Sequence, residues 1–443
     1  MDMQARVNVR ECIDERPFGR YQLLITAMCA LVVFLDGFDT QAIGYVAPAI
    51  IKDLGMNRAA LSPVFSASLV GLMLGALIGG PVSDRFGRRP VLLGGMVFFG
   101  VMSLLTVLAG SVNSLLVLRL LTGLGLGCVM PNAIALTSEY APERVRSTAV
   151  MVMFCGFSLG AALGGLAAAV LIQDFGWRSV FVAGGVLPLV AAVALWFWLP
   201  ESVRFLVLNG GDKGRIATIM QKIDPSLAGR GVQFQADEHR ETKSPVRQLF
   251  ADRRALLTSL LWVVFFMSLM DLYFLSNWLP TVINDAGIPV SSAALITAML
   301  QVGGTVGTLV LGRVFDRVSP FLALSAIYFL AACFIAAVGY AGVSVTALTL
   351  TIFGAGFCIV GGQIGANALA AKAYPTAIRA TGVGWSLGIG RIGSVLGPVI
   401  GGMLLSMHWD MRQLFLIGAV PVFIASIAAL VISRTGAGRR PSE

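Results

Sequence analysis

The sequence predicts an all-α membrane protein, with twelve transmembrane helices arranged as two pseudo-symmetric six-helix bundles. Three observations carry that expectation. The chain is 57% hydrophobic and 12% charged, where soluble domains carry about 25% charge. Apolar windows able to cross a bilayer, which takes about 20 residues, recur twelve times along it. The loop sequence after the second window returns, altered, after the eighth.

The windows fall near 21–48, 62–83, 90–110, 114–138, 147–172 and 178–199. They resume near 255–283, 292–312, 320–341, 345–371, 377–404 and 412–433. This divides the chain into a tail (1–20), a first bundle (21–199), a linker (200–254), a second bundle (255–433) and a tail (434–443). With the N-terminus inside, about 26 of the 32 Lys and Arg residues occupy inside loops and about four lie outside. Both tails and the linker are therefore expected to be cytoplasmic. The net charge of +9 reads as topology, and nucleic acid is not an expected partner. The linker, with "GGDKGRIATIMQKIDPSLAGR", is too short for an independent enzyme and is expected to form short surface helices. No cleavable signal peptide is expected, because the first twenty residues are polar and the apolar segment after them lacks a cleavage motif.

"GGPVSDRFGRRP" and "GRVFDRVSP" share Gly-x-x-x-Asp-Arg, matching Gly80, Asp84 and Arg85 with Gly312, Asp316 and Arg317 at an offset of 232. "EYAPERVRSTAV" and "AYPTAIRATGVG" align Tyr140 with Tyr374 and Arg146 with Arg379. Six spans per copy is an even number, so the copies lie parallel, an arrangement that puts a substrate site between them near the midplane. The 51 glycines suit close helix packing in lipid. Cys29, Cys128, Cys155, Cys333 and Cys358 lie in apolar segments with no metal-site spacing and read as small buried residues. No metal or cofactor is expected. With no Ser-His-Asp, Cys-His or phosphate-loop pattern, neither an enzyme nor ATP-driven transport is expected.

Charges inside the spans are the candidates for function, since each costs from about 3 to more than 10 kcal/mol at the bilayer centre. In "FLDGFDTQAIGYVAP", Asp36 and Asp39 are three apart and share a helix face. Like charges so close in low dielectric do not both ionise comfortably, so one is expected to hold a proton. The competing reading is a structural pair, capping a broken helix at Gly37 or salt-bridged to Arg119 or Arg391. Arg391, in "GIGRIGSVLGP", lies out of reach of either interface and needs an anion. Arg119, in "RLLTGLGLGCVMPN", either faces the cavity or snorkels to the outer surface.

Gly80-x-x-x-Asp84-Arg85-x-Gly87-Arg88-Arg89 resembles the loop signature of the major facilitator superfamily. Its alternative is a positive-inside anchor only, for which Asp84 and Gly87 would be unnecessary. "LPESVRFLV" resembles the element after span six of sugar-porter-like members. "FLDGFDTQAIGYVAP", "GLGLGCVMPNAIALTSEYAPERVRSTAVMVMFCGFSLGAALGG", "YFLSNWLPT" and "GIGRIGSVLGP" resemble the aromatic acid:proton symporter family over essentially the whole chain. The similarity is nearest to its bacterial 4-hydroxybenzoate/protocatechuate permeases. The resemblance implies a multi-pass protein of the bacterial inner membrane that imports aromatic carboxylates with protons. Its important positions carry over to Asp36, Asp39, Gly80, Asp84, Arg119, Glu139, Arg379 and Arg391. Two departures stand out: Phe321 in "FDRVSPF", where a polar or basic residue is expected, and an extra acid, Asp271, in span seven.

On this reading the substrate carboxylate pairs with Arg391 first and Arg119 second, by the guanidinium fork. Phe38, Tyr273, Trp278 and Trp385 would stack on its ring, and Asn132, Asn277, Gln301, Gln363 and Asn367 would read hydroxyls. Proton coupling is assigned to Asp36 and Asp39, with Glu139 and Asp271 in reserve. Gating falls to Gly80, Asp84, Arg85, Gly87, Arg88, Arg89, Asp316, Arg317 and Arg379. Protons, lipid and the aromatic acid are the expected partners, and a monomer the expected unit. The rivals are a symporter of another organic acid or a sugar, and a membrane receptor, for which the linker is too small.

Overall fold

Among the described residues, twelve helices are long and apolar enough to cross a membrane. The computed structural model describes residues 6–227, 232–235, 246–251, 254–374, 378–407 and 409–435. A short helix α1 (Val9–Glu15) precedes the first six spans: α2 (Arg20–Leu54), α3 (Ser62–Phe86), α4 (Arg88–Thr106), α5 (Val112–Tyr140), α6 (Glu143–Phe175) and α7 (Arg178–Trp198). The linker adds α8 (Val203–Leu208) and α9 (Lys213–Ile223). The second six are α10 (Ala255–Asp285), α11 (Val290–Arg317), α12 (Pro320–Val338), α13 (Val345–Ala373), α14 (Arg379–Ser406) and α15 (Met411–Thr435).

Several helices outrun their apolar windows. A backbone ladder continues past the lipid edge until a residue satisfies or diverts its end groups. For α2 that residue is Gly55, left-handed at φ 59°, whose N–H returns to the Ile51 carbonyl. The start of α5 is capped by Ser111, whose Oγ accepts from the Ser114 N–H at 3.2 Å.

The two sets of six pack alike. In the first, α3 lies on α5, α2 on α6 and α4 on α7; in the second, α11 lies on α13, α10 on α14 and α12 on α15. Lipid supplies no hydrophobic force between helices, so close backbone contact does the joining. Gly71 and Gly75 of α3 rest on the Leu120 and Leu124 carbonyls of α5, and Gly303 and Gly307 of α11 rest on those of Phe353 and Phe357. A methyl group at any of these would strike backbone. Gly37 serves the same end. The helix runs through it unbroken, and its bare Cα lies against the Phe157 carbonyl of α6.

The halves meet along α3 with α14, α6 with α11, and α2 with α10. Polar bridges pin them at the end far from the chain termini. Ser62 Oγ donates to the Pro398 carbonyl and Ser66 Oγ to that of Val395, both at 3.0 Å, and Arg58 pairs with Asp285 at 3.0 Å. Gly80 and Gly384 have no neighbouring atom within 4 Å of an added Cβ, while Gly402, at the far end, touches Ser62.

At the terminal end the tail grips the linker. Arg6–Asn8 pairs in parallel with Gln233–Gln235. Val9, Cys12 and Ile13 are buried in one cluster with Ile216, Ile219 and Met220 of α9. Asp14 Oδ1 accepts from the Glu143 N–H at the start of α6, at 2.7 Å, and pairs with Arg146 at 3.3 Å. Arg16 pairs with Asp224 at 2.7 Å. Burial works against charge on Asp224, but the Ser226 hydroxyl and amide and the Arg16 guanidinium outweigh it and hold the carboxyl below its usual range.

Candidate functional site

Asp39 and Asp36 turn to different company. Asp39 Oδ1 accepts from Ser103 at 2.7 Å, and Oδ2 takes the Arg119 guanidinium at 3.2 Å. Arg119 is wholly buried, donates a second bond to Thr106 at 2.9 Å, and lies 4.7 Å from the Phe181 ring centroid. Hydrogen bonds to both terminal nitrogens and the ring support this dry charge pair, while the Arg119 Nε is buried without a hydrogen-bond partner among the described residues. The structure therefore places Arg119 in the interior of the first half, bound to a carboxylate, neither snorkelling nor open to a ligand. Ser103 and Thr106 escaped the sequence reading. Their only signal was a pair of hydroxyls three apart in "FGVMSLLTVLAG".

Among the described residues no cation is bonded to Asp36. Thr40, one turn on, donates to Oδ1 at 3.0 Å, and Oδ2 is buried without a hydrogen-bond partner. The charge acting on it from the other half is that of Arg391 on α14. Arg391 is half-buried midway along its helix, and its Nη1 donates to the Tyr273 hydroxyl of α10 at 3.3 Å. Among the described residues no carboxylate pairs with it. Tyr273 clusters with Leu269 of α10 and Leu69 of α3, so this spot lies where the halves join. A planar donor fork without an acid and an acid with one free oxygen thus lie in opposite halves, near enough for the guanidinium charge to act on the carboxyl. Together they can bind an anion and hold a proton beside it.

The aromatic candidates divide. Tyr273 is at the site. Phe38 packs into the first half's core against Gly164 and Gly184. Trp278 is buried at the far-end seam, its Nε1 donating to the Pro398 carbonyl at 2.9 Å and its ring edge-on to Phe65. Trp385 is exposed and stacks on Trp262. Among the amides, Gln363 accepts from Ser268 and donates to Asn367 at 3.4 Å, a polar strip joining α10 and α13. Asn132 and Asn277 each bond a carbonyl of their own helix, at 2.7 Å, and Gln301 is buried.

Glu139 belongs to a different cluster, at the terminal end. It accepts from Ser202 and pairs with Arg88 at 3.4 Å, and Arg88 also pairs with the exposed Asp84 at 3.1 Å. Glu201 Oε1 accepts from the Arg88 and Arg89 N–H groups at 2.9 and 3.2 Å, capping α4 from outside the helix. Gly87, at φ 102°, makes room, since a Cβ there would strike that carboxylate. Arg85 lies over the Phe86 ring and Arg89 over that of Trp196. The side chains of Asp316, Arg317 and Arg379 lie outside the described residues. The capping role of Glu201 was not legible from its motif.

Residues 29–385 match the Major Facilitator Superfamily. The chain is similar to the 4-hydroxybenzoate transporter PcaK of Pseudomonas putida, 43% identical over 96% of this chain and 95% of that protein. It is also similar to the gallate transporter of Pseudomonas putida, 42% identical over 97% of this chain and 95% of that one. In fold it resembles the inward-open xylose transporter XylE of E. coli, with a TM-score of 0.73 at 18% identity, covering 93% and 95% of the two chains. Twelve paired helices, the loop signature at Gly80–Arg89 and full-length likeness to permeases agree: the chain belongs to the Major Facilitator Superfamily and is a multi-pass membrane transporter.

Proposed function

We propose that the protein imports aromatic carboxylates together with protons, by alternating access between the bundles 21–199 and 255–433. One observation carries the reading: a mid-helix arginine, Arg391, with no carboxylate partner among the described residues, acts across the seam on Asp36 and donates to the Tyr273 hydroxyl. A substrate carboxylate supplies the missing anion, and its ring rests against Tyr273. The permeases named for 4-hydroxybenzoate and gallate support a hydroxylated benzoate as the substrate class.

Asp36 is the proton carrier in this proposal. An anion entering a negative-inside cell works against about 2.3 kcal/mol per 100 mV, which a co-transported proton cancels. The basic terminal end faces the cytoplasm of a bacterial inner membrane, so pinning at the far end makes this the conformation that releases substrate inward. Monomers suffice, because both halves of the site come from one chain. A sugar substrate would leave the guanidinium unpaired.

The test is uptake of radiolabelled benzoates, phenylpropionates, aliphatic acids and xylose into cells, with and without an uncoupler. Uncoupler-sensitive uptake of hydroxybenzoates alone is the expected outcome. Uptake of aliphatic acids or xylose in preference, or insensitivity to the uncoupler, overturns it.

A further inference from the structure

Asp271, on α10, is 1% exposed, and neither carboxyl oxygen has a hydrogen-bond partner among the described residues. Among the described residues of α2, α11, α13, α14 and α15, the helices packed against α10, no charged or titratable side chain hydrogen-bonds or ion-pairs with it. The repeat explains how it came to stand alone.

The two halves can be laid over one another by their contacts. Gly160 of α6 lies on the Phe34 carbonyl of α2, as Gly393 of α14 lies on the Phe266 carbonyl of α10. The helix prolines Pro48 and Pro280 keep the same offset of 232 between α2 and α10. That offset makes Asp271 the counterpart of Asp39. Asp39's partners Ser103 and Arg119, and Thr106, which bonds Arg119, have counterparts as well. Ser103 and Thr106 on α4 map to Ile335 and Val338 on α12, and Arg119 on α5 maps to Ile352 on α13. Gly71 on Leu120 against Gly303 on Phe353 supports the last step. All three replacements are buried hydrophobics in one core cluster. Only the ring survives, Phe181 becoming Phe415 in a shared Arg-x-x-Phe-x-x-Gly. The acid was kept while its hydroxyls and its cation were lost.

An ionised carboxylate without hydrogen bonds or a counter-ion does not persist in such a place, whereas the neutral acid does. We propose that Asp271 is a second proton-binding site, loaded in this conformation, so that one substrate anion travels with two protons. This rests on the symport reading above, in which Asp36 carries the first. The proton joins a carboxyl oxygen of Asp271 from outside water and leaves to inside water when movement of the halves wets α10. Any transition that hydrates and reburies this acid must move a proton with it.

Proteoliposomes loaded with purified protein and given labelled 4-hydroxybenzoate decide the matter. With two protons per anion the cycle carries net positive charge, so an inside-negative potential alone drives accumulation. One pH unit then supports at most about 100-fold accumulation, against about tenfold with one proton. Asp271→Asn, which mimics the neutral acid, is expected to keep pH-driven accumulation near the tenfold limit and to lose the potential-driven part. Potential-driven accumulation persisting in Asp271→Asn means the acid never releases its proton, and overturns the proposal. Direct counting of protons entering per anion in the wild type is independent of any variant, and one proton per anion overturns it too. Wild-type uptake indifferent to both gradients would instead bring down the symport reading itself.

Discussion

Arg119 closes on Asp39 at 3.2 Å inside the first half, with neither side chain more than 1% exposed. That contact separates two aspartates that look equivalent in the sequence. Asp39 has a counter-ion of its own, and Asp36 is left to answer to Arg391 across the seam.

The buried pair makes a stability prediction. Arg119→Leu strands the Asp39 carboxylate and should destabilise the protein by about 3–5 kcal/mol, while Asp39→Leu with Arg119→Leu should recover much of that loss. Thermal denaturation in detergent of the single and double variants checks it. A double variant no better than the single one would mean the pair contributes net stability.

Arg391→Lys should weaken binding of 4-hydroxybenzoate about tenfold or more, roughly 1.4 kcal/mol, because lysine keeps the charge and loses the fork. Equilibrium binding of the labelled acid to purified protein gives the answer. Wild-type affinity in the variant would exclude a bidentate clamp at this position.

Asp36→Asn should cut accumulation driven by one pH unit from about 100-fold to about tenfold, the limit the Asp271 proton alone supports, yet allow counterflow, because the amide resembles the protonated acid. Both are read in the same proteoliposomes. Accumulation undiminished from the wild type would move the first proton elsewhere.

Asp84 is 72% exposed on its side chain and pairs with Arg88 in the loop. Asp84→Asn should therefore slow transport by about tenfold or more, as interconversion of the end states suffers, with equilibrium binding intact. Loss of binding in folded protein would place Asp84 at the site or in its support.

The N-terminal segment offers a pH test. The Asp224 carboxyl is held below its ordinary range, so its contribution is present above pH about 3.9 and fades only as pH falls further, through its lowered value. Protection of the tail from limited proteolysis should thus be level from pH 7 to about 4 and drop below that. Asp14→Ala should loosen the same region at neutral pH by about 1 kcal/mol, through loss of the bond at the start of α6.

Composition and periodicity alone carried the twelve spans, the twofold repeat and the suspicion attached to every charge within a span. These follow from local physics: a backbone in lipid must be helical, and a charge there must have a reason. The same sequence ranked Arg391 ahead of Arg119 as the substrate clamp without showing what either one meets, and offered Phe38, Trp278 and Tyr273 as equal candidates to stack on a ring. Packing alone sorted them. Arg119 meets Asp39 and Thr106, residues of two other helices, whereas Arg391 meets a hydroxyl and no acid among the described residues. Which partner a buried charge finds depends on which helices lie side by side and how each is turned. Glycine-lined contacts between helices set that, and no single stretch of sequence contains it.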